Sequence, residues 1–253
     1  MNQAVIAERY PVPPEELRWR STGVRSADDF LQSSRNDLEV FDKQALGREG
    51  KSFRSFQSIL DFGCGCGRLI RSLRPSCAPS ATIHGTDIDP AAIKWCKENI
   101  PDASFFLGDG EPPLPFTDKS MDLIYACSVF SHLDAEHQFR WLVELQRILK
   151  PDGYLLLTFR HNCNMERIAD AAMRERIASA LARDGIAFTT TDTWKDVFPS
   201  WYGETYHSTD YVRKNWGSYF EMRHIIKAGE LAEETAVLRA LDSTFLQRVF
   251  RLS

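Results

Sequence analysis

The sequence predicts an α/β fold built on a doubly wound parallel sheet, with a C-terminal antiparallel strand pair at one edge. Two observations carry this prediction. Short apolar strands alternate with helical patterns from about residue 58 to residue 160, which favours parallel strands joined by helical crossovers. Beyond that region, residues 219–226 and 235–241 have strand composition and flank a short link, which favours a closing antiparallel pair.

Each element of the alternating region has a sequence signal of its own. Asp89 followed by Pro90 predicts the start of a helix, with Asp89 as the N-cap. Asp134 likewise predicts a cap, because the residues after it carry apolar side chains at i, i+3, i+4 and i+7. The strand candidates are residues 59–62, 82–87, 103–107, 121–127 and 154–159.

The turn after the first strand predicts a ligand site. Asp61 is followed by glycines at alternate positions, Gly63, Gly65 and Gly67, and a helical pattern resumes at Leu69. In a Rossmann-like unit, a ligand lies where the strand ends and the helix begins, and glycine lets it approach the backbone. A dinucleotide fingerprint would require a further glycine at the position of Arg68. The spacing therefore argues against a nicotinamide cofactor.

Acids follow the next two strands. Asp87 ends the second strand about 20 residues after the glycine turn, where an acid can accept hydrogen bonds from both ribose hydroxyls. Asp109 follows the third strand between Gly108 and Gly110, a pattern that by itself is also typical of a simple turn. The position of Asp109 as the third feature in this ordered series favours a ligand contact over a simple turn.

Together these features resemble the class I S-adenosylmethionine-dependent methyltransferases, and among them a bacterial small-molecule branch. The resemblance covers about residues 56–160 and rests on residues 61–68, on Ser-Val-Phe-Ser-His-Leu at 128–133 and on Leu-Lys-Pro-Asp-Gly at 149–153. It implies S-adenosyl-L-methionine as the cofactor, with Asp109 at the adenine amino group. The cofactor-binding residues expected are Asp61, Gly63, Cys64, Gly65, Gly67, Asp87, Ile88, Asp109, Gly110 and Ser128.

Four parts of the chain are predicted. Residues 1–57 form an N-terminal helical lead-in or cap, in which Tyr10, Arg20 and Arg25 are candidates for contacting an amino-acid carboxylate. Residues 58–160 form the cofactor-binding Rossmann-like core. Residues 161–216 form a helix and aromatic loop insertion, either an acceptor lid or a small core of its own. Residues 217–253 form the closing strand pair and a C-terminal tail, which packs on the domain or makes a dimer contact.

The predicted function is methyl transfer to a hydroxyl of a small molecule, a saccharide or a secondary metabolite. N-methylation and a non-catalytic S-adenosylmethionine-binding protein stay open as alternatives, and an NAD-dependent oxidoreductase is the least favoured. His132 is the first candidate base because it follows the fourth strand, and His207 is the second. The acceptor pocket is expected to include Phe130, Trp201, Tyr202, Tyr206 and Tyr211.

Bulk properties limit the partners. A net charge of −4 and a pI near 5.9 give no basic footprint for nucleic acid or an anionic membrane. No apolar run approaches the roughly 20 residues of a membrane span. The six cysteines lack zinc or disulfide spacing. We therefore expect a cytoplasmic protein without a metal, and a homodimer is the candidate assembly.

Overall fold

The structure, a computed structural model, describes residues 10–161, 165, 168–191, 195–228 and 233–241. The predicted C-terminal tail after Asp242, and Gly229 in the link between the last two strands, lie outside these residues. The strands are β1 (Ser58–Phe62), β2 (Thr82–Asp87), β3 (Ser104–Leu107), β4 (Met121–Ala126), β5 (Leu149–Phe159), β6 (Ile186–Thr190), β7 (Gly203–His207), β8 (Phe220–Ile226) and β9 (Glu234–Ala240).

Most of the described α-helices begin where a capping side chain accepts hydrogen bonds from the first backbone N–H groups. Asp89 and Asp134 accept hydrogen bonds from N–H groups in the first turns of their helices, which confirms both predicted caps. A π-helical turn, Val40–Leu46, follows the second helix. The α-helices are α1 (Glu15–Thr22), α2 (Ala27–Glu39), α3 (Ile70–Leu73), α4 (Pro90–Asn99), α5 (Ala135–Ile148), α6 (Ala171–Asp184) and α7 (Thr209–Asn215).

The main sheet has seven strands in the order β3-β2-β1-β4-β5-β9-β8. The first five are parallel, whereas β9 runs antiparallel to β5 and β8 antiparallel to β9. The predicted doubly wound sheet with its closing antiparallel pair is therefore confirmed. The strand order reverses between β1 and β4, and ligands of open α/β sheets bind at such a switch point.

Apolar layers cover both faces of the sheet. On one face the π-helical turn and the segment after it pack through Phe41, Leu46 and Phe53. On the other face α5 packs through Leu142 and Leu145, both fully buried. Burial of each such side chain stabilises the fold by about 1.5–3 kcal/mol. These layers fix the strand ends, so the loops that leave them are held on a rigid base.

The insertion after β5 is more regular than the sequence suggested. The sequence predicts an aromatic loop in this insertion, but β7 pairs antiparallel with β6 and α7 begins at Thr209. The hairpin forms because the left-handed Gly185 ends α6 and turns the chain directly into β6. The described residues between the hairpin strands include the loop 195–202, which carries Phe198, Trp201 and Tyr202.

Candidate functional site

A cavity of about 770 Å³ lies at the carboxyl ends of the parallel strands. Its lining comes from the glycine turn after β1, the ends of β2, β4 and β5, helix α1, and the loop 195–202. This volume is within the range of roughly 300–1,000 Å³ that small-molecule sites occupy. The cavity is therefore large enough for a nucleoside-containing cofactor, and it extends to the insertion.

Bare backbone forms the floor of the cavity at the glycine turn. Gly63 has a φ of +79°, and a Cβ at this position would lie 2.2 Å from Cγ2 of Val129. The N–H groups of Gly63 and Cys64 donate to the carbonyl of Thr86 at 2.8 and 2.9 Å. The turn is thus tied to β2, and only glycine fits at its first position.

The carboxylate of Asp87 organises the turn from the end of β2. Its Oδ2 accepts the N–H of Gly65 at 2.7 Å, and its Oδ1 accepts the N–H of Asp89 at 2.9 Å. Burial raises the pKa of Asp87 above its ordinary value. A carboxylate has about four lone-pair positions, so Asp87 can still accept hydrogen bonds from a ribose diol. Asp87 and Ile88 both line the cavity, as the predicted ribose contact requires.

Helix α1 covers the glycine turn. The N–H of Cys66 donates to Oγ of Ser21 at 3.2 Å, and Nε of Arg20 donates to Oδ2 of Asp89 at 2.6 Å. A Cβ on Gly65 would lie 2.8 Å from Cβ of Ser21, so the approach is close. The N-terminal part therefore acts as a wall of the cavity as well as packing on the fold.

Tyr10, Arg20 and Arg25 are the candidates for contacting an amino-acid carboxylate. Among these three, Arg20 lines the cavity and the other two do not. The hydroxyl of Tyr10 donates to Asp102 instead. The guanidinium of Arg25 lies over the ring of Trp19, 4.5 Å from its centroid. The expectation for Tyr10 and Arg25 is corrected by these partners, which hold both side chains outside the cavity lining.

An ion pair in the cavity wall was not found from the sequence. Nη1 of Arg68 lies 2.5 Å from Oδ2 of Asp37 on α2, and Nη2 donates to Sγ of Cys127 at 3.3 Å. All three residues line the cavity. The sequence used Arg68 only to argue against a dinucleotide site. Its position directly after the last turn glycine was the signal that could have indicated a side chain facing the ligand.

His132 has one ring nitrogen fixed by a backbone carbonyl. Its Nδ1 lies 2.8 Å from the carbonyl oxygen of Gly203. A carbonyl can only accept, so Nδ1 carries the proton and Nε2 of the neutral ring carries the lone pair. Burial, and after it the positive charge of Arg160, lowers the pKa of His132 to about 4. The ring is therefore neutral at physiological pH, and it lines the cavity.

Aromatic rings of the loop 195–202 close this end of the cavity. Tyr202 stacks on His132 with centroids 4.5 Å apart, and Trp201 stacks on His137 at 4.4 Å. A Cβ on Gly110, whose φ is +91°, would lie 2.8 Å from Cζ2 of Trp201. Trp201, Tyr202 and Tyr206 all line the cavity, which is where the predicted acceptor pocket requires them.

A chain of polar groups lies beside His132. The N–H of Ser128 donates to Oγ1 of Thr158 at 2.6 Å, and that hydroxyl donates to Glu233 at 2.6 Å. Arg160 lies 3.4 Å from Glu233 and 3.3 Å from Glu204. Sequence reasoning found Ser128 but missed the other four residues, which come from strand ends distant in the chain.

Two predicted site residues, His207 and Phe130, belong to the core instead, and half-buried Tyr211 lies outside the cavity lining. His207 is fully buried, its Nε2 lies 3.2 Å from Oε1 of Gln138, and burial lowers its pKa to about 3. Phe130 is also fully buried and packs on Trp216. Tyr211 lies on α7 near His207, with ring centroids 6.0 Å apart. The expectation that His207 is a second base and that Phe130 and Tyr211 contact the acceptor is therefore corrected.

Predicted residues of the glycine turn also include structural ones. Asp61 is 2% exposed beneath the turn, and burial raises its pKa to about 8. Cys64 is buried, with Sγ close to Gly85. A Cβ on Gly67 would lie 2.5 Å from Cδ1 of Ile100. These three residues hold the turn in shape from below and do not line the cavity, which corrects their assignment as direct contacts.

Asp109 lies next to the main cavity. It lines a smaller cavity of about 280 Å³ that shares Ile88, Gly108 and Phe198 with the large one. Its Oδ1 accepts the N–H of Glu111 at 3.1 Å, so the turn interpretation describes its local geometry. Its role at the adenine amino group stays a prediction.

The sheet order, the bare glycine turn at the switch point and the acid that ends β2 define a class I, S-adenosylmethionine-dependent methyltransferase fold. Comparison with known proteins agrees, because residues 60–157 match the family model described as Methyltransferase domain. Residues 60–157 of this chain are therefore similar to a methyltransferase domain. The residues fit its cofactor, since Gly63 and Gly65 line the cavity without a side chain and Asp87 can accept from a diol.

Two curated proteins that are similar to part of this chain are named as methyltransferases. A phthiotriol/phenolphthiotriol dimycocerosates methyltransferase of Mycobacterium ulcerans is 33% identical over 129 residues, 50% of this chain and 45% of that protein. A fatty-acid O-methyltransferase of Mycolicibacterium smegmatis is 36% identical over 106 residues, 40% of this chain and 36% of that protein. The chain thus spans less than half the length of these curated relatives.

Solved structures share the fold. An S-adenosylmethionine dependent methyltransferase from Mesorhizobium loti superposes with a TM-score of 0.56 at 14% identity, covering 80% of this chain and 99% of that one. In the part of the chain that the structure describes, no helix is both long and apolar enough to span a membrane. The same described residues contain no group of acidic, histidine and cysteine side chains suited to a metal ion.

Proposed function

We propose that this protein transfers the methyl group of S-adenosylmethionine to a hydroxyl of a small molecule with a largely apolar body. The observation that carries the proposal is His132, a neutral imidazole in the cavity whose Nδ1 proton is held by the carbonyl of Gly203. Its Nε2 can take the proton that a hydroxyl loses when its oxygen is methylated. Cytoplasmic location and a homodimer remain predictions from the sequence.

The chemistry divides between the cofactor and the chain. When bound, S-adenosylmethionine would supply a methyl group activated by its sulfonium, and the thioether would be the leaving group that keeps the electron pair of the broken C–S bond. The chain aligns the acceptor oxygen with that methyl and excludes water. His132 Nε2 receives the acceptor proton as the new O–C bond forms, a contribution of about 10²–10⁴-fold for a positioned base.

The charges in the cavity favour a hydroxyl over a carboxylate. Among the described residues, three arginines line the cavity, and each is already paired with a carboxylate. Arg160 is shared between Glu204 and Glu233. Arg20 is paired with Asp89, and Arg68 with Asp37. A carboxylate acceptor would therefore compete with existing carboxylates for each of these cations. It would also need no base, whereas a hydroxyl makes use of neutral His132.

The walls near His132 favour an acceptor with an apolar body. Leu133, Ile168, Met173, Phe198 and Trp201 line the same cavity as the polar groups. The relatives are named for phthiotriol dimycocerosates and for fatty acids, which agrees with an acceptor that has a lipid-like body. A fatty acid offers a carboxyl oxygen, so that relative supports the apolar body of the acceptor and not its hydroxyl. A free saccharide would leave these apolar walls poorly matched.

An amine acceptor is the second candidate, because Glu204 and Glu233 lie beside His132 and carboxylates hold ammonium groups well. The test begins with calorimetric titration of S-adenosylmethionine, S-adenosylhomocysteine and NAD. An acceptor panel follows in which one apolar chain carries a hydroxyl, a carboxyl or an amine, and S-adenosylhomocysteine release is measured. Turnover with the carboxyl compound alone would contradict the proposal, and binding with no turnover would favour a non-catalytic binding protein.

A His132→Gln variant tests the role of the base. We expect near-normal affinity for S-adenosylmethionine and a kcat about 10²–10⁴-fold lower, because glutamine cannot take the proton. His84→Gln is the matched control, since His84 lies on β2 between Phe106 and Phe116, outside the cavity lining. Equal kcat in the His132 variant and the wild type would exclude His132 as the base.

A further inference from the structure

A stack of three aromatic rings leads from the surface loop to the candidate base. Phe198 stacks on Tyr202 with centroids 4.5 Å apart and an angle of 20° between planes. Tyr202 stacks in turn on His132, also at 4.5 Å, with an angle of 11°. The imidazole of His132 is thus covered on one face by a ring that is itself supported.

The same loop also supplies the hydrogen bond to Nδ1. Gly203 directly follows Tyr202, and its carbonyl accepts from Nδ1 of His132 at 2.8 Å. Gly203 is the first residue of β7 and pairs with Thr190 of β6. A Cβ on Gly203 would lie 2.4 Å from the carbonyl of Thr189 and 2.5 Å from Cε2 of Phe188. The carbonyl is therefore held by the β6–β7 hairpin.

One hydrogen bond does not fix an imidazole. The ring can still rotate about the Nδ1···O line, and a swung ring would present a different edge to the cavity. A parallel ring against its face removes that freedom. Burial raises the pKa of Tyr202, so its ring stays neutral and keeps its apolar face against the imidazole.

We propose that Tyr202 is a positioning residue that, together with the carbonyl of Gly203, holds His132 in the Nδ1–H tautomer with Nε2 available to the acceptor. The inference rests on the proposed function, because it concerns the base named there. Tyr202 itself does not act on the reacting atoms; it acts through His132.

The charged surroundings of His132 agree with this assignment. Arg160 from the end of β5, Glu204 from β7 and Glu233 next to β9 act on the ring through their charges, and Tyr202 covers it from the loop. Burial and Arg160 lower the pKa of His132 from 6.5 to about 4. Removing the Tyr202 ring would admit water to the imidazole, so its pKa should rise toward 6.5.

The experiment follows the ring nitrogens of His132 by ¹⁵N NMR in the protein without cofactor or acceptor. The His132→Gln variant identifies the signals, and Tyr202→Phe and Tyr202→Leu are compared with the wild type. We expect wild type and Tyr202→Phe to show protonated Nδ1, unprotonated Nε2 and a pKa well below 6.5. Tyr202→Leu should show mixed tautomers and a higher pKa. Tyr219→Leu, which removes a ring packed on Phe139, is the control.

Kinetics provide the second readout. Tyr202→Leu should lower kcat roughly 10- to 100-fold while leaving the KM for S-adenosylmethionine nearly unchanged. The rise in the pKa of His132 should appear as a shift of the acidic limb of the pH profile to higher pH. If Tyr202→Leu does not fold, Phe198→Leu removes the outer ring of the same stack and should produce a smaller change in the same direction.

The two proposals fail in different ways. An unchanged His132 tautomer and pKa in Tyr202→Leu would overturn the positioning role, whatever the enzyme methylates. A changed tautomer with no turnover of any acceptor would support the positioning role and count against the proposed hydroxyl methylation.

Discussion

Replacing Asp87 with asparagine isolates the contribution of one charge to cofactor binding. The carboxylate accepts the N–H of Gly65 and the N–H of Asp89, at 2.7 and 2.9 Å, and lines the cavity. Asparagine has nearly the same shape and keeps one oxygen acceptor. Its amide NH₂ cannot accept a hydrogen bond, so the donors that bind one of the two carboxylate oxygens in the wild type lose their acceptor.

The size of the effect follows from the bonds at stake. A hydrogen bond to a charged group contributes about 1.5–3 kcal/mol, and the variant loses at least one such bond to the ribose diol. We therefore expect the Kd for S-adenosylmethionine to rise roughly 10- to 150-fold. The unliganded protein should change much less. Burial already disfavours the charge of Asp87, as its raised pKa indicates, so removing that charge offsets the lost backbone partner.

Isothermal calorimetry with S-adenosylmethionine and S-adenosylhomocysteine measures the Kd, and urea denaturation measures the free energy of unfolding. Asp28→Asn is the matched control, because Asp28 lies in the first turn of α2, is exposed and carries the same charge. An unchanged Kd in Asp87→Asn would remove this carboxylate from the cofactor site. A large loss of stability with a proportionate loss of binding would show a structural role instead.

Two further predictions concern the glycine turn and the acid below it. Gly63→Ala should cost about 1–2 kcal/mol through its left-handed φ alone, with a clash against Val129 in addition, and calorimetry should find cofactor binding lost. Gly217→Ala, where a Cβ meets open space, should bind normally. Asp61 stays protonated in the folded protein up to about pH 8, whereas the unfolded chain releases the proton near its ordinary value of 3.8. The free energy of unfolding should therefore fall between these pH values, by up to about 1.4 kcal/mol per pH unit, and Asp61→Asn should remove that slope. Urea denaturation at about pH 5 and about pH 8 measures it, and the same pH dependence in both proteins would contradict the burial argument.

The sequence predicted the parts of the fold whose signals are local. The caps Asp89 and Asp134 were found because a helix start needs an acceptor within its first turn. The apolar run in β5 indicated a strand covered on both faces, and the structure has Leu155, Leu156 and Leu157 fully buried there. The position of Asp87 followed from the same logic, since the end of a parallel strand next to the switch point faces the ligand.

The error at His207 has a physical reason. The stretch around it was interpreted as an irregular loop, in which neighbouring side chains can face the same ligand. It is β7, and strand residues alternate between two faces. Glu204 and Tyr206 therefore line the cavity, whereas Thr205 and His207 are fully buried on the opposite face. Recognising the strand from the β-favouring Thr and Tyr would have separated Tyr206 from His207.

Short stretches of sequence predict the proposed cofactor half of the cavity better than the proposed acceptor half. The two features proposed to bind the cofactor are the glycine turn at Gly63 and the acid that ends the adjacent strand, and both are visible within one strand-turn-helix-strand pattern. The acceptor half depends on side chains brought together from separate elements, as Arg160 meets Glu204 and Glu233. Such meetings are set by strand pairing, which no single stretch of sequence determines. The base of the proposed reaction depends on both halves. His132 lies in the loop after β4 of the core, and Gly203 of the insertion binds its Nδ1 and orients the ring. A change confined to the insertion can therefore alter catalysis while the cofactor site keeps its affinity.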